Sequence, residues 1–533
     1  MNSLLSSKAN KKENPSNYLV LQTIINKQEN FFLLLNTNNP SLLNPIAKME
    51  GGLTMALCLI TLLFTIFTLF KLLLQWKNQS CCYMLAYQCY KPIDPTRKLN
   101  TDSCVKIVLR NKNLGLDEYR FLLKTIVSSG ISEHTYAPKN VLEGHEENPT
   151  LNEAVAEMDD IIFDTLDKLF AKTLVSPSDI KILVVSVSLF SPSPCLTSRI
   201  VNRYKMREDI KAFNLSGMGC SASIVAIDLV NNLFKCYDNS YAIVVATESM
   251  GPNWYVGKEK QMVLSNCLFR SGGCSMLFTN KRELKHQAML KLNCLVRTHL
   301  GANDEAYQCC IQVEDDSGYR GFRLTKNLPK AASKIFAMNL RVLVPKILPW
   351  RELSRYVIAN SFIRKNKLPK GAMGAKGGLR QGPIIGLNLK TGVDHFCIHP
   401  GGRAVIDSVG KSLGLNAYDL EPARMALHRF GNTSSAGFWY VFGYMEAKKR
   451  LKKGERILMI SFGAGFKCNN CAWEVIRDLE DENVWKDCID SYPPQCLTNP
   501  FMEKYSWIYD ESLNFIRNKD FNFIKNNQSL PTN

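Results

Sequence analysis

Ile180 to Phe190 reads IKILVVSVSLF and Tyr241 to Thr247 reads YAIVVAT. Both runs are short and β-branched, and they are apolar at successive rather than alternate positions. A strand with one face in water alternates, so a run without alternation asks to be covered on both faces. Cys274–Thr279, Val393–Ile398 and Ile457–Phe462 are expected strands of the same kind. The cover is at hand. Ser221–Tyr237 is apolar on most faces and reads as a central helix, and Arg403–Leu413 and Ser434–Lys452 read as further helices. Buried strands alternating with helices predict an α/β architecture with helices on the sheet faces. A chain of 533 residues, 46% of them hydrophobic, can bury one large core or two packed halves.

Gly51 to Phe70 is a second constraint, GGLTMALCLITLLFTIFTLF without a charge. A helix of that length spans about 30 Å, which matches a bilayer core, so residues 51–74 are expected to form a transmembrane helix. No small-residue cleavage site follows it. Lys77, Lys91, Arg97 and Lys98 follow the run, with Lys48 alone shortly before it, a bias that places the larger C-terminal part in the cytosol. Residues 1–48 are rich in Asn and Lys without sustained periodicity. They are expected to be a disordered or non-native extension, with Met49 as the initiator.

The net charge of +18 favours an anionic partner. No Lys/Arg run of nucleic-acid type and no zinc-finger spacing is present, so a membrane surface or a phosphorylated ligand is expected and nucleic acid is not. The 18 cysteines are scattered, and Cys58, Cys220, Cys267 and Cys397 lie inside apolar segments. Buried free thiols fit that pattern better than a disulfide scaffold. Cys468 and Cys471 form a lone CxxC and are expected to be unpaired. Lys365–Gly386 is Gly-rich but lacks the GxxxxGK[ST] of a phosphate loop, so it reads as a loop or linker. Residues 494–533 read as a peripheral tail.

Four segments could carry chemistry. In Asn214–Ser223, two glycines precede Cys220, which opens the central helix. Glycine permits a tight turn, and a helix N-terminus favours a thiolate, so Cys220 is a candidate nucleophile. His399 ends a strand before Pro400-Gly401-Gly402, where open α/β sheets place ligands, and could stabilise an enolate. His395 and His399 are spaced as HxxxH, but that spacing binds metal on a helix and this segment reads as a strand, so no metal is expected. Asn432, in Leu427–Ser435, offers amide donors without charge just before a helix. Gly463 and Gly465 follow a strand and could expose backbone N–H groups as part of an oxyanion hole.

Together with CYMLAYQCYKP at Cys82–Pro92, SNCLFRSGG at Ser265–Gly273 and RTHLGAND at Arg297–Asp304, these segments resemble the plant 3-ketoacyl-CoA synthases, relatives of the chalcone and stilbene synthases. HFCIHPGGRAVID at His395–Asp407, LHRFGNTSS at Leu427–Ser435 and GAGFKCN at Gly463–Asn469 carry the resemblance further, from Tyr83 to about Pro493. It implies a thiolase-like fold of two similar layered halves, residues 83–330 supplying Cys220 and residues 331–493 supplying His399 and Asn432. It also implies active-site places, without assigned roles, for His299, His395 and His428. The implied reaction is decarboxylative condensation of malonyl-CoA with a long-chain acyl group held on Cys220, in very-long-chain fatty acid biosynthesis. No cofactor is implied, since acyl-CoA and malonyl-CoA are both substrates. The implied setting is the endoplasmic reticulum membrane with the catalytic domain cytosolic. A homodimer is implied, together with the other elongase enzymes: ketoacyl-CoA reductase, dehydratase and enoyl reductase. Ser223, Leu300 and Pro400 depart from the family's usual Gly, Lys and Ala. A type III polyketide synthase-like condensing enzyme, a non-catalytic elongase-complex scaffold and a Cys-His hydrolase remain as alternatives.

Overall fold

The computed structural model describes residues 59–68, 71, 81–366 and 387–497. The chain divides into two units, residues 1–79 and 80–533. In the first, residues 59–68 are helical, and Leu59, Ile60, Leu62, Leu63, Phe64, Ile66 and Phe67 each keep more than half of their surface exposed. Among the described residues no helix is long and apolar enough to cross a membrane. The rest of the expected span 51–74 lies outside the described residues, as do the extension 1–48, the expected loop Lys365–Gly386 except Lys365 and Asn366, which end the helix Trp350–Asn366, and the expected tail 494–533 from residue 498 on.

The second unit is built on a mixed sheet. Its strands are β1 (Tyr83–Cys89), β2 (Ile180–Ser186), β3 (Lys211–Leu215), β4 (Tyr241–Thr247), β5 (Gly273–Thr279), β6 (Leu290–His299), β9 (His395–Ile398), β10 (Arg456–Gly463) and β11 (Lys467–Val475). The strands β7 (Cys310–Glu314) and β8 (Arg320–Leu324) form a separate hairpin. The order in the large sheet is β3-β2-β4-β5-β1-β6-β11-β10-β9.

That order contains a repeat. β2 is parallel to β4, and β4, β5 and β1 are successively antiparallel. β9 is parallel to β10, and β10, β11 and β6 are successively antiparallel. The two groups touch between β1 and β6 through the pairs Tyr83–Lys291 and Met84–Leu290. The repeated pairing is what two similar α/β halves would produce. β6 sits before residue 330 in the chain, yet it pairs along its length with β11 in the later group.

Helices cover the sheet because its strands present apolar residues to both sides. β4 is buried at every position after Tyr241 and β5 throughout. Helix α1 (Leu151–Thr173) packs on β1 and β5. Thr150 and Glu153 cap it reciprocally, satisfying free N–H groups of its first turn. Helix α2 (Ala222–Leu233) packs on β2 and β4 and buries Ala222 to Ile227 and Val230. The expected helix Ser221–Tyr237 is therefore shorter, and its entry is a 3₁₀ turn over Gly219–Ser221. In the later group, α3 (Arg403–Leu413) and α4 (Ala417–Phe430) lead to α5 (Gly437–Ala447), which is buried at every residue. Its entry is likewise a 3₁₀ turn, Ser434–Ala436. The two halves thus present matching turns ahead of matching buried helices, and these turns touch each other.

Candidate active site

The Cys220 turn is held from below. Gly217 N–H donates to the Ser188 carbonyl at 3.0 Å and Gly219 N–H to Ser188 Oγ at 2.9 Å. Gly219 has a φ of +69°, and a Cβ there would collide with the Ala464 nitrogen. Only glycine satisfies both demands without strain. Ser461 Oγ–H donates to the Cys220 carbonyl at 3.1 Å, and Asn469 Nδ2–H donates to Ser221 Oγ at 3.0 Å. The nucleophile turn of one half is therefore clamped by β10 and β11 of the other.

Cys220 is half-buried at the wall of a cavity of about 260 Å³. Glu248, Ser434, Ala464 and Gly465 supply polar groups around it, and Trp254, Phe269 and Phe322 are among its apolar walls. Ser434 Oγ lies 3.8 Å from Cys220 Sγ and 3.1 Å from Glu248 Oε2. Burial pushes the Cys220 thiol up to about 12. Contact with Ser434 opposes this, and the Glu248 charge adds to it. Desolvation thus works against the thiolate that the helix mouth is expected to favour.

His399 follows the last residue of β9. Its N–H donates to the Ile460 carbonyl at 2.9 Å, and Gly401 N–H donates to its carbonyl at 2.9 Å, so the ring stands on a tight turn. The ring lies against Gly401 and against Gly437, the first residue of α5. It is 3% exposed, and neither Nδ1 nor Nε2 has a hydrogen-bond partner. Burial lowers its pKa to about 4, leaving a neutral imidazole. Asn432 is also 3% exposed. Its Nδ2 donates to the Gly401 carbonyl at 3.2 Å and its Oδ1 accepts Ser434 N–H at 2.9 Å. Cys220, Ser434, Asn432, Gly401 and His399 therefore form a continuous series of contacts. Cys220 and Ser434 face the cavity, while His399 and Asn432 are not among its lining residues and stand behind them.

Of the glycine pair, Gly465 lines the cavity and Gly463 ends β10 against Ser221. His299 ends β6 on the exposed side, with its Nδ1 accepting Gly301 N–H at 3.0 Å and its ring close to Gly465. Burial, Lys467 and Arg297 lower its pKa.

His395 and His428 are not brought to the cavity. His395 begins β9, four strand residues and about 13 Å from His399, with Nε2 2.9 Å from Glu455 Oε2. His428 lies in the last turn of α4, with Nδ1 2.9 Å from the Tyr492 hydroxyl. Cys468 and Cys471 are buried free thiols on β11. Among the described residues no three His, Cys, Asp or Glu side chains converge as a metal site requires.

Two residues at the centre were not singled out from the sequence, Glu248 and Ser434. Glu248 has a readable signal, an acidic residue immediately after the apolar strand YAIVVAT, at the carboxyl end where ligands bind. Ser434 lies inside LHRFGNTSS but carries no signal of its own. Ser223 and Pro400, the departures nearest the site, are both accommodated. Ser223 Oγ accepts from Trp439 Nε1, and Pro400 packs against Gly437.

Solved structures share this fold. PKS-I of the brown alga Ectocarpus siliculosus is 16% identical, covers 75% of this chain and 99% of its own, and gives a TM-score of 0.55. The 1,3,6,8-tetrahydroxynaphthalene synthase of Streptomyces coelicolor is 15% identical, covers 74% of this chain and 99% of its own, and also gives 0.55. The family model described as FAE1/Type III polyketide synthase-like protein matches residues 74–367. That of the 3-oxoacyl-[acyl-carrier-protein] synthase III C terminal matches residues 388–475. Among curated proteins, 3-ketoacyl-CoA synthase 19 of Arabidopsis thaliana is 60% identical over 87% of this chain and 98% of its own length. 3-ketoacyl-CoA synthase 12 of the same plant is 55% identical over 84% and 97%. With identity of this extent along nearly the whole length of these relatives, the chain belongs to the 3-ketoacyl-CoA synthases.

Proposed function

We propose that the protein lengthens a long-chain acyl-CoA by condensation with malonyl-CoA, with Cys220 as the acyl carrier and His399 and Asn432 as the groups that stabilise the enolate. Cys220 sulfur attacks the acyl-CoA thioester; the carbonyl–sulfur bond to coenzyme A breaks and the acyl group passes to Cys220. Malonyl-CoA then loses carbon dioxide, and the electron pair of the broken bond becomes an enolate. The enolate carbon attacks the acyl-Cys220 carbonyl, releasing 3-ketoacyl-CoA and the Cys220 thiolate. The observation that carries this reading is the His399 ring, buried and neutral with both nitrogens unpaired. A buried polar group without a partner is costly unless something else supplies one, and an enolate oxygen admitted from the cavity past Ser434 to the ring behind it would do so. The apolar walls Trp254, Phe269 and Phe322 beside Cys220 suit an acyl chain.

The proposal extends to the setting. Residues 51–74 anchor the chain in the endoplasmic reticulum membrane, with the catalytic unit in the cytosol as a homodimer beside the other elongase enzymes. The uncharged run Gly51–Phe70 and the Lys/Arg residues after it support the anchor. Microsomes expressing the protein, given malonyl-CoA and a series of acyl-CoAs, are expected to yield linear 3-ketoacyl-CoA two carbons longer. Cyclised products would make it a polyketide synthase. Acyl-CoA consumption without malonyl-CoA would make it a hydrolase.

A further inference from the structure

Ser434 has one hydroxyl hydrogen and two neighbours that compete for it, Cys220 Sγ at 3.8 Å and Glu248 Oε2 at 3.1 Å. A carboxylate cannot donate and a thiol can, so one arrangement satisfies all three: Cys220 S–H donates to Ser434 Oγ, and Ser434 O–H donates to Glu248. The hydroxyl is held in place for this at a backbone φ of +54°, in a region that non-glycine residues enter at a cost. Its N–H is tied to Asn432 Oδ1.

We propose that Ser434 and Glu248 form a proton relay that accepts the Cys220 thiol proton as the sulfur attacks an acyl-CoA thioester and returns it to the departing coenzyme A sulfur. The step balances. The thiol proton moves to Ser434 Oγ while the Ser434 proton moves to Glu248 Oε2, leaving a sulfur nucleophile, a neutral serine and a neutral carboxylic acid. When the coenzyme A sulfur leaves with its electron pair, the same protons run back. Ser434 touches the reacting atom; Glu248 acts through it and is a positioning residue.

The surroundings support the direction of transfer. Glu248 is 3% exposed and accepts N–H donors from Ser188 at 3.0 Å, Leu189 at 2.8 Å and Ser249 at 3.4 Å. Burial raises its pKa to about 6 against those donors. His399 is held lower, at about 4, and has no hydrogen-bond partner, so Glu248 is the base within reach of the Ser434 hydroxyl. Other titratable groups stand further round. Glu157 lies beyond Ser249, at 3.3 Å from its hydroxyl and under the influence of Arg97. Cys310 lies across the cavity, acted on by Lys467.

The test rests on the acyl-Cys220 reading and separates the two. Full-length protein is mixed with stearoyl-CoA in the absence of malonyl-CoA, and release of one equivalent of coenzyme A is followed in a single turnover against pH. In the parent, the rate is expected to climb tenfold per pH unit below about 6 and to level above it. Glu248→Gln and Ser434→Ala should each lower the rate at pH 7 by roughly 100-fold and lose the plateau, because reaction then needs a thiolate formed by solvent. His399→Gln should keep the limb near 6. The relay is overturned if Glu248→Gln and Ser434→Ala keep the parent's profile, or if the limb follows His399. Ser434→Ala leaves the backbone donors around Glu248 intact and carries the test if Glu248→Gln folds poorly. Release that persists in Cys220→Ala would sink the acyl-enzyme reading itself.

Discussion

The indole Nε1 of Trp439 donates a hydrogen bond to Ser223 Oγ at 2.9 Å, and both residues are fully buried. Ser223 lies in the first turn of the helix behind Cys220, and Trp439 in the first turn of the helix behind Ser434. One hydrogen bond therefore pins together the two helices that set the nucleophile and its neighbour. Ser223→Ala leaves the indole N–H buried without a partner and should destabilise the fold by about 1–3 kcal/mol. Ser223→Gly should cost about 1 kcal/mol more through helix propensity. Denaturant midpoints of the two variants check this. An unchanged midpoint would mean that the bond contributes nothing.

Tyr241–Thr247 and Arg403–Leu413 were legible to the residue, because an unbroken apolar run and a strong helical period each leave one solution. β6 was not read. Its pattern is half-exposed, and what makes it a strand is pairing with β11, which begins at Lys467. The entry turn of α5 falls inside the expected helix Ser434–Lys452, since composition does not show that Ser434 takes a positive φ. Cys220, His399 and Asn432 were legible as types at strand ends and helix mouths. Glu248 carries a signal as an acidic residue after an apolar strand, but its pairing with Ser434, 186 residues away, carries none. His395 and His428 share segments with site residues, but a strand of four residues and the direction of a helix carry them elsewhere, to Glu455 and Tyr492.

The two chemical stages should separate by mutation. Cys220→Ala removes the acyl carrier, so the mass increase of the parent on incubation with acyl-CoA should be absent. His399→Gln removes the unpaired imidazole behind Ser434 but leaves the Cys220, Ser434 and Glu248 contacts. It should still take up the acyl group, while condensation with malonyl-CoA falls by roughly 10²–10³-fold. Intact-protein mass spectrometry and product formation measure the two stages. Loss of acylation in His399→Gln would place the imidazole in the first stage instead.

Glu446 is 1% exposed, and Tyr87 O–H donates to its Oε2 at 2.5 Å. Burial raises its pKa from 4.5 to about 7. Asp481 adds to this, and Tyr87, Lys172 and Arg477 oppose it. A folded pKa above the unfolded value gives stability that is full below about pH 4.5 and is lost as pH rises through about 7. Glu446→Gln has no charge to bury. It should match the parent near pH 4.5 and exceed it above pH 7 by up to roughly 3 kcal/mol, since a tenfold change in proton affinity is worth about 1.4 kcal/mol. His399 and His428, both lowered to about 4 by burial, pull the other way: their contribution is lost as pH falls from 6.5 through 4. The difference between variant and parent cancels them. Denaturant melts at pH 5 and pH 8 read that difference, and an equal offset at both would show that Glu446 does not titrate in this window.

Gly219 and Gly318 make a matched pair for the Cys220 turn. Both have positive φ, +69° and +83°, so alanine at either should cost about 1–2 kcal/mol of backbone strain. They differ in what a Cβ would meet. At Gly318 there is nothing within 4 Å, whereas at Gly219 the Cβ runs into the Ala464 nitrogen and its side chain, on the loop that lines the cavity. Gly318→Ala should therefore lose stability and keep its turnover. Gly219→Ala should lose more stability, because backbone cannot swing aside as a side-chain tip can, and its condensation rate should fall at least tenfold as the 463–465 loop shifts against Cys220. Thermal melts measure the first difference, and turnover at saturating acyl-CoA and malonyl-CoA measures the second. Equal turnover in the two variants would mean that the glycine serves only the conformation of the turn and not its approach to the loop.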